Sequence, residues 1–253
     1  MNIILLGTGV AIPQLERAQS GILVKTPGEL VLFDCGAGIL GRIVQSGYDY
    51  LKISSVFFTH HHLDHNSDFL ALLKAQQLTS DDLGVKRQKV RVYGPEGTND
   101  WLKLMLSSYD YIDAEVDAKE LYDNDVIRVG NSVVTVRKSI HGVPSIAYRM
   151  KTPTSTFVYS GDTEPSEAIK ELCHGNVDVL VHECSFPDEF SYVTNHTTPA
   201  KLRDLMYESN IERLVLTHLY PHTIGHENTM IETIKEKFKG RVDIGYDLMK
   251  IFL

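Results

Sequence analysis

The run Thr59-His60-His61-His62-Leu63-Asp64-His65 places four histidines and one aspartate in six consecutive positions. Imidazole and carboxylate are the ligands that a borderline divalent ion such as zinc takes. In extended backbone, residues two apart face the same way, so His60, His62 and Asp64 are expected to converge on one point, with a turn bringing in His65. The competing reading is a polar loop that happens to be rich in histidine. Buried histidines need partners and rarely cluster without a metal, which favours ligation.

Other residues of the right type are ambiguous taken singly. Asp162 lies between a strand end and a helix start, where an N-cap and a ligand read equally well. His141 and His218 are lone histidines, which are more often hydrogen-bonded structural residues. His61 and His174 are expected on the surface. His222 and His226 follow Leu219-Tyr220-Pro221 and are read as ordinary loop residues, with a place in a cleft as the alternative. Asp34, at a strand end, reads either as a residue that orders a ligand histidine or as a turn residue. Cys35 and Cys184 read as small buried hydrophobes.

A recurring pattern positions these groups. Short apolar strands run into polar residues: Asn2 to Leu6, Glu29 to Phe33, Ser55 to Phe58, Thr156 to Tyr159, Val177 to Val181 and Arg213 to Leu216. Such runs, bounded by Gly and polar residues, read as buried strands. Helical spacing covers Ile39 to Ser46, Ser67 to Gln77, Pro165 to Cys173, Pro199 to Ser209 and Asn228 to Phe238. Strands alternating with helices give an α/β layered fold, in which ligands gather beyond the carboxyl ends of the strands. The acidic stretch Ser107 to Asp125 is expected to be a solvated surface helix and loop.

The chain of 253 residues suits one large domain or two small ones. Its 43% hydrophobic and 23% charged residues are an ordinary globular balance. A formal net charge of -8 argues against a general nucleic-acid coat, which needs a basic face. Three scattered cysteines are too few for a disulfide framework, so a cytoplasmic setting is expected. No signal peptide and no membrane span are expected either.

The motif His60-x-His62-x-Asp64-His65 resembles that of the metallo-β-lactamase superfamily. The likeness extends along nearly the whole chain and is strongest to the ribonuclease Z-like branch. Gly7-Thr8-Gly9 with Pro13 and Arg17, Leu32 to Gly36, His141 to Arg149, Ser160-Gly161-Asp162-Thr163, His182-Glu183-Cys184-Ser185, His196-Thr197-Thr198 and Leu216-Thr217-His218 follow its order. The resemblance implies a four-layered αβ/βα sandwich, a single domain over residues 1–253 and two divalent metal ions, zinc first, with manganese or iron(II) as alternatives. His60, His62 and His141 would hold the first ion; Asp64, His65 and His218 would hold the second; Asp162 would bridge them. A carboxylate shared between two ions ~3.5–4 Å apart screens their repulsion. Water on such ions is acidified to a pKa of about 7, giving hydroxide at neutral pH, which Asp64 would orient. His196, held by Glu183, would serve the leaving oxygen; the alternative for this pair is a surface histidine and a strand-closing glutamate. Many relatives form dimers, so a homodimer is compatible with the resemblance.

Two reactions and one non-catalytic role are open. The favoured one is a phosphodiesterase of the ribonuclease Z type, with processing of a tRNA 3′ end as its specific form. The alternative is an esterase acting on an aryl sulfate, a cyclic phosphodiester or a lactone. A metal-stabilised interaction module ranks last, because none of the seven ligand positions is lost. RNA is the weaker partner expectation. The family's loop pattern Pro-x-Lys-x-Arg-Asn reads Pro13-Gln14-Leu15-Glu16-Arg17-Ala18 here, and the acidic stretch stands where a basic arm belongs. Lys86, Arg87, Lys89 and Arg91 form a basic patch that would compensate, unless it is an ordinary solvated face.

Overall fold

The computed structural model describes residues 1–253. Fourteen strands form two seven-stranded sheets. The first holds β1 (Asn2–Gly7), β2 (Gly21–Thr26), β3 (Glu29–Phe33), β4 (Ile53–Phe57), β5 (Val90–Gly94), β6 (Val116–Glu120) and β14 (Met249–Phe252), in the order β14-β1-β2-β3-β4-β5-β6. The second holds β7 (Val126–Val129), β8 (Ser132–Lys138), β9 (Ile146–Lys151), β10 (Thr156–Tyr159), β11 (Val177–Glu183), β12 (Ile211–Thr217) and β13 (Arg241–Ile244), in the order β13-β12-β11-β10-β9-β8-β7. Each sheet is mixed. β3 to β6 and β10 to β13 are parallel, and the remaining pairs are antiparallel.

Side-chain alternation along the strands builds three apolar layers. Ile3 and Leu5 of β1 join Phe33, Phe57, Tyr148, Phe157, Val181 and Val215 between the sheets. Ile4 and Leu6 of the same strand point the other way, against α1 (Ile39–Ser46), α3 (Phe69–Leu83) and α4 (Thr98–Ser108). In the second sheet, Leu214 and Leu216 pack under α5 (Glu167–Leu172), α6 (Pro199–Leu205) and α7 (Glu227–Lys235). The central strands are thus covered on both faces, which is why they read as unbroken apolar runs. Helix, sheet, sheet, helix is the expected four-layered sandwich. No helix is long and apolar enough to cross a membrane.

Two expectations change. The acidic stretch is not simply a helix and a loop: the end of α4 leads into β6, which pairs with β5 in parallel. Its residues alternate between half-buried and exposed, and the charges of Asp117 and Lys119 on the exposed face masked the strand. Nor does extended backbone run through the histidine motif. One helical turn, α2 (Leu63–Asn66), begins after His62, so Asp64 leaves the face shared by His60 and His62 and joins His65 instead.

Candidate metal centre

All the groups in question gather beyond the carboxyl ends of β4, β10, β11 and β12, where the two sheets meet. Donor atoms of His60, His62 and His141 lie within 4.8 Å of one another. The same holds for Asp64, His65 and His218, and for His60, His65 and Asp162. Asp162 faces both trios: its Oδ2 lies 3.9 Å from His60 Nε2 and from His141 Nε2 and 3.2 Å from His218 Nε2, and its Oδ1 lies 3.4 Å from His65 Nε2.

The outer nitrogens of the imidazoles show which way each ring is locked. Asp34 Oδ2 lies 2.8 Å from His65 Nδ1 and can only accept there. Thr59 Oγ1 donates to the same carboxylate at 2.9 Å and so accepts from His60 Nδ1 at 3.0 Å. His141 Nδ1 donates to the Asn195 carbonyl at 3.0 Å. His218 Nδ1 lies 3.0 Å from Ser185 Oγ. These partners leave the Nε2 lone pairs of His60, His65, His141 and His218 aimed inward, together with His62 Nδ1.

In a metal-free interior these atoms would face one another badly. His60 Nε2 and His62 Nδ1 are 3.0 Å apart. His65 Nε2 and Asp162 Oδ1 are buried without a hydrogen-bond partner. Buried polar atoms are normally paired, so a donor set of this kind fits cations. The charges agree. Burial and the neighbouring His65 push His60 well below its ordinary pKa. Burial opposes a charge on His65, yet Asp162 and Asp34 outweigh it and raise that imidazole. Burial also opposes ionisation of Asp64, but the neighbouring His218 and His65 draw it down to about 2.

Asp34 is the ordering residue that the strand-end reading allowed. It is fully buried and also accepts from Thr59 N and the Tyr159 hydroxyl, at 2.8 and 2.9 Å. Asp34 and His218 both have left-handed backbone, at φ 57° and 54°. Such conformations cost a non-glycine residue roughly 1–3 kcal/mol and persist only where surrounding contacts over-determine them. Gly161 (φ 56°) lies beside Asp162, and a Cβ there would sit 2.6 Å from Thr59 Cβ.

His196 stands at the rim. Its Nδ1 donates to the buried carboxylate of Glu183 at 3.0 Å. Its ring is one of a group with His141 and Asp162 whose donor atoms lie within 4.8 Å. Burial disfavours a charge on this ring, but Glu183, with Asp162 and Asp64 behind it, pushes it up to about 9. With Nδ1 committed to Glu183, the ring's Nε2 is the position left free to face the cleft. Sequence reasoning gave no roles to Thr59, Tyr159, Ser185 or Asn195. Thr59 and Ser185 lie inside quoted motifs, whereas nothing marked Tyr159 or Asn195.

Elsewhere the outcome is mixed. His61 is half-buried rather than free on the surface: it stacks on Trp101 at 4.6 Å and bonds Thr98 Oγ1 at 2.8 Å, and burial lowers it to about 4. His174 is exposed. His222 packs on Phe186 and Phe190, and Phe186 reaches the His196 ring, so His222 belongs to the outer wall of the cleft. His226 pairs with Glu189 at 3.6 Å. Arg17 braces the first loop by donating to Thr8 Oγ1 and the Gly245 carbonyl. Cys35 and Cys184 are buried, and burial raises both thiols. In the basic patch, Arg87 pairs with Asp113, Lys89 with Asp117 and Arg91 with Glu29, at 2.9, 2.8 and 3.1 Å.

Known proteins share this architecture. Residues 30–219 match the Beta-lactamase superfamily domain. Ribonuclease Z of Methanopyrus kandleri is 31% identical over 249 residues, covering 85% of each chain. Ribonuclease Z of Methanosarcina mazei is 28% identical over 304 aligned residues, covering 99% of this chain and 97% of its own. The crystal structure of human tRNase Z, short form, superposes with a TM-score of 0.80 at 23% identity, covering 100% of this chain and 99% of that one. The chain belongs to the β-lactamase superfamily and is a metal-dependent hydrolase of its ribonuclease Z-like branch.

Proposed function

We propose that this chain is a phosphodiesterase working with two zinc ions, one held by His60, His62 and His141, the other by Asp64, His65 and His218, with Asp162 between them. The observation that carries this reading is the inward set of five imidazole nitrogens, four of them (His60, His65, His141 and His218) fixed by a partner on the outer nitrogen, around one shared carboxylate. Bound there, the ions would supply Lewis acidity and acidify water for attack at phosphorus. The chain supplies the rest. Asp64 orients the attacking oxygen from inside the cleft. Glu183 holds His196 protonated, so that its Nε2 can pass a proton to the departing alkoxide. The relatives' names point to RNA as the polymer cleaved.

A second reading, a short phosphodiester or other small ester, has its own support. The alignment to the M. mazei enzyme runs over 304 positions against 253 residues here, so at least 51 positions are filled in the relative alone. The basic patch is paired with carboxylates. Elemental analysis together with rates on precursor tRNA, a bis-aryl phosphate, an aryl sulfate and a lactone tests both readings. Two zinc ions per chain with phosphodiester cleavage is the expected result. A chain that binds no metal, or one that turns over only the sulfate or the lactone, would overturn the main reading.

A further inference from the structure

We propose that Ser185 is a positioning residue that couples the metal-ligand face of His218 to the Glu183–His196 pair. The inference rests on the two-metal phosphodiesterase reading. Ser185 is fully buried in the turn after β11. Its Oγ lies 2.6 Å from Glu183 Oε2, 3.0 Å from His218 Nδ1 and 3.4 Å from His196 Nδ1.

A serine hydroxyl has one proton, and the direction in which it is given sets the rest. A carboxylate oxygen at 2.6 Å can only accept, so Ser185 donates to Glu183. The reverse arrangement would set a hydroxyl lone pair against a carboxylate at that distance. With its proton committed, Ser185 Oγ can only accept from His218, so Nδ1 of His218 carries hydrogen. With a cation bound, its Nε2 would then offer a lone pair on the side of Asp64 and Asp162, whose oxygens lie 3.4 and 3.2 Å away. Proton donation runs from His218 through Ser185 to Glu183, where it meets donation from His196.

Glu183 closes the circuit without slack. Its two oxygens also receive the backbone N–H groups of Thr163 at 2.7 Å and Thr197 at 3.2 Å. The carboxylate is pinned from four directions, so it cannot swing to replace a lost hydroxyl. Removal of the Ser185 Oγ leaves the buried Nδ1–H of His218 without its acceptor and lets the ring turn. One side chain thus sets both the presentation of a metal ligand and the purchase of the proton donor. Groups behind a metal-ligating histidine typically change affinity by 10–100-fold when removed.

The test compares Ser185→Ala and Ser185→Thr with the full wild-type chain. Zinc affinity of each site is read by chelator competition, and kcat/KM is read on an alkyl and a nitrophenyl phosphodiester. Ser185→Ala is expected to weaken one of the two zinc ions by ~10–100-fold while leaving the other within about threefold. It should also lose more rate on the alkyl ester than on the nitrophenyl ester, and Ser185→Thr should restore both properties. Where Ser185→Ala does not fold, zinc-loaded wild type labelled with 15N at histidine provides the readout, as a slowly exchanging Nδ1–H signal for His218. A wild type that takes up no second zinc overturns the metal reading and the coupling with it. A wild type with two zinc ions overturns the coupling alone if Ser185→Ala binds both ions equally well, or if the Nδ1–H signal is absent. An active Ser185→Ala beside an inactive Ser185→Thr would do the same.

Discussion

The first sheet delivers His60, His62, Asp64 and His65 from one run of chain after β4, whereas the second delivers its groups strand by strand. His141 precedes β9, Asp162 follows β10, Glu183 ends β11 and His218 follows β12. In the first half, one loop and one helical turn set the geometry of four side chains. In the second half, the registers of neighbouring strands set it, pair by pair. The first half is a local structure and the second a tertiary one, and Asp162 is where they meet. Substitutions therefore divide by what they disturb: a shared ligand, a proton donor, a supporting partner or a distant charge.

The largest effect is expected at the meeting point. Asp162→Ala removes the oxygens that face both trios and leaves crowded imidazoles without their shared counter-charge. The variant should lose both ions, or nearly all activity, when metal content and turnover are measured together. Retention of two ions with near-normal rates would show that the halves do not depend on the bridge.

His196→Ala probes the second half alone. General acid catalysis contributes ~10²–10⁴-fold and matters most for a basic leaving oxygen. Cleavage of RNA or an alkyl phosphodiester should fall in that range, while an activated nitrophenyl ester is largely spared. Glu183→Gln should show the same pattern more weakly, since it holds the ring and transfers nothing itself. Equal losses on both substrates, at unchanged metal content, would reduce His196 to a structural role.

Asp34→Ala probes the first half by its supporting partner. The carboxylate holds His65 directly and His60 through Thr59. Its loss should weaken metal binding by ~10–100-fold, the usual scale for a group behind a ligand histidine. The effect should be greater than that of Tyr159→Phe, which removes only one of the bonds to Asp34. Chelator competition on the two variants decides the order, and a larger loss in Tyr159→Phe would reverse the assignment.

The same contrast explains what could be read from the chain beforehand. The histidine-rich run announces a metal because its ligands are neighbours in sequence. His141, Asp162 and His218 are each ambiguous alone, and only a resemblance spanning the chain picked them out. Central strands were legible because burial on both faces gives them apolar stretches, such as Ile3 to Leu6 in β1, Val56-Phe57 in β4 and Leu214 to Leu216 in β12. Strand β6 was not, because its exposed positions, Asp117 and Lys119, carry charge. The helical turn after His62 escaped notice for a similar reason: Leu63-Asp64-His65-Asn66 has no apolar period, and tertiary contacts hold it. Asp34 bonds residues 25 to 125 positions away, a relation that no local pattern encodes.

The smallest effect is expected at the basic patch, and the sheet itself gives the reason. β4 and β5 are parallel, with Ser55 beside Arg91 and Phe57 beside Tyr93. The ligands follow the carboxyl end of β4, whereas Lys86 to Lys89 precede the amino end of β5. At about 3.3 Å per residue, the patch begins roughly 15 Å down the strand direction from His60. Three of its four charges are also paired with carboxylates. Exposed pairs of this kind contribute roughly 0–1 kcal/mol each, so a Lys86→Ala, Lys89→Ala double variant should fold normally. Its kcat/KM on RNA should stay within about twofold of wild type. The salt dependence is the sharper measurement, because each single-strand phosphate that a lysine ceases to neutralise lowers the slope of log affinity against log salt by about 0.7. An unchanged slope is expected. A slope reduced by about 1.4, with weaker RNA binding to match, would mean that the polymer wraps past the sheet edge to the far end. The site would then extend well beyond the cleft that the two halves enclose.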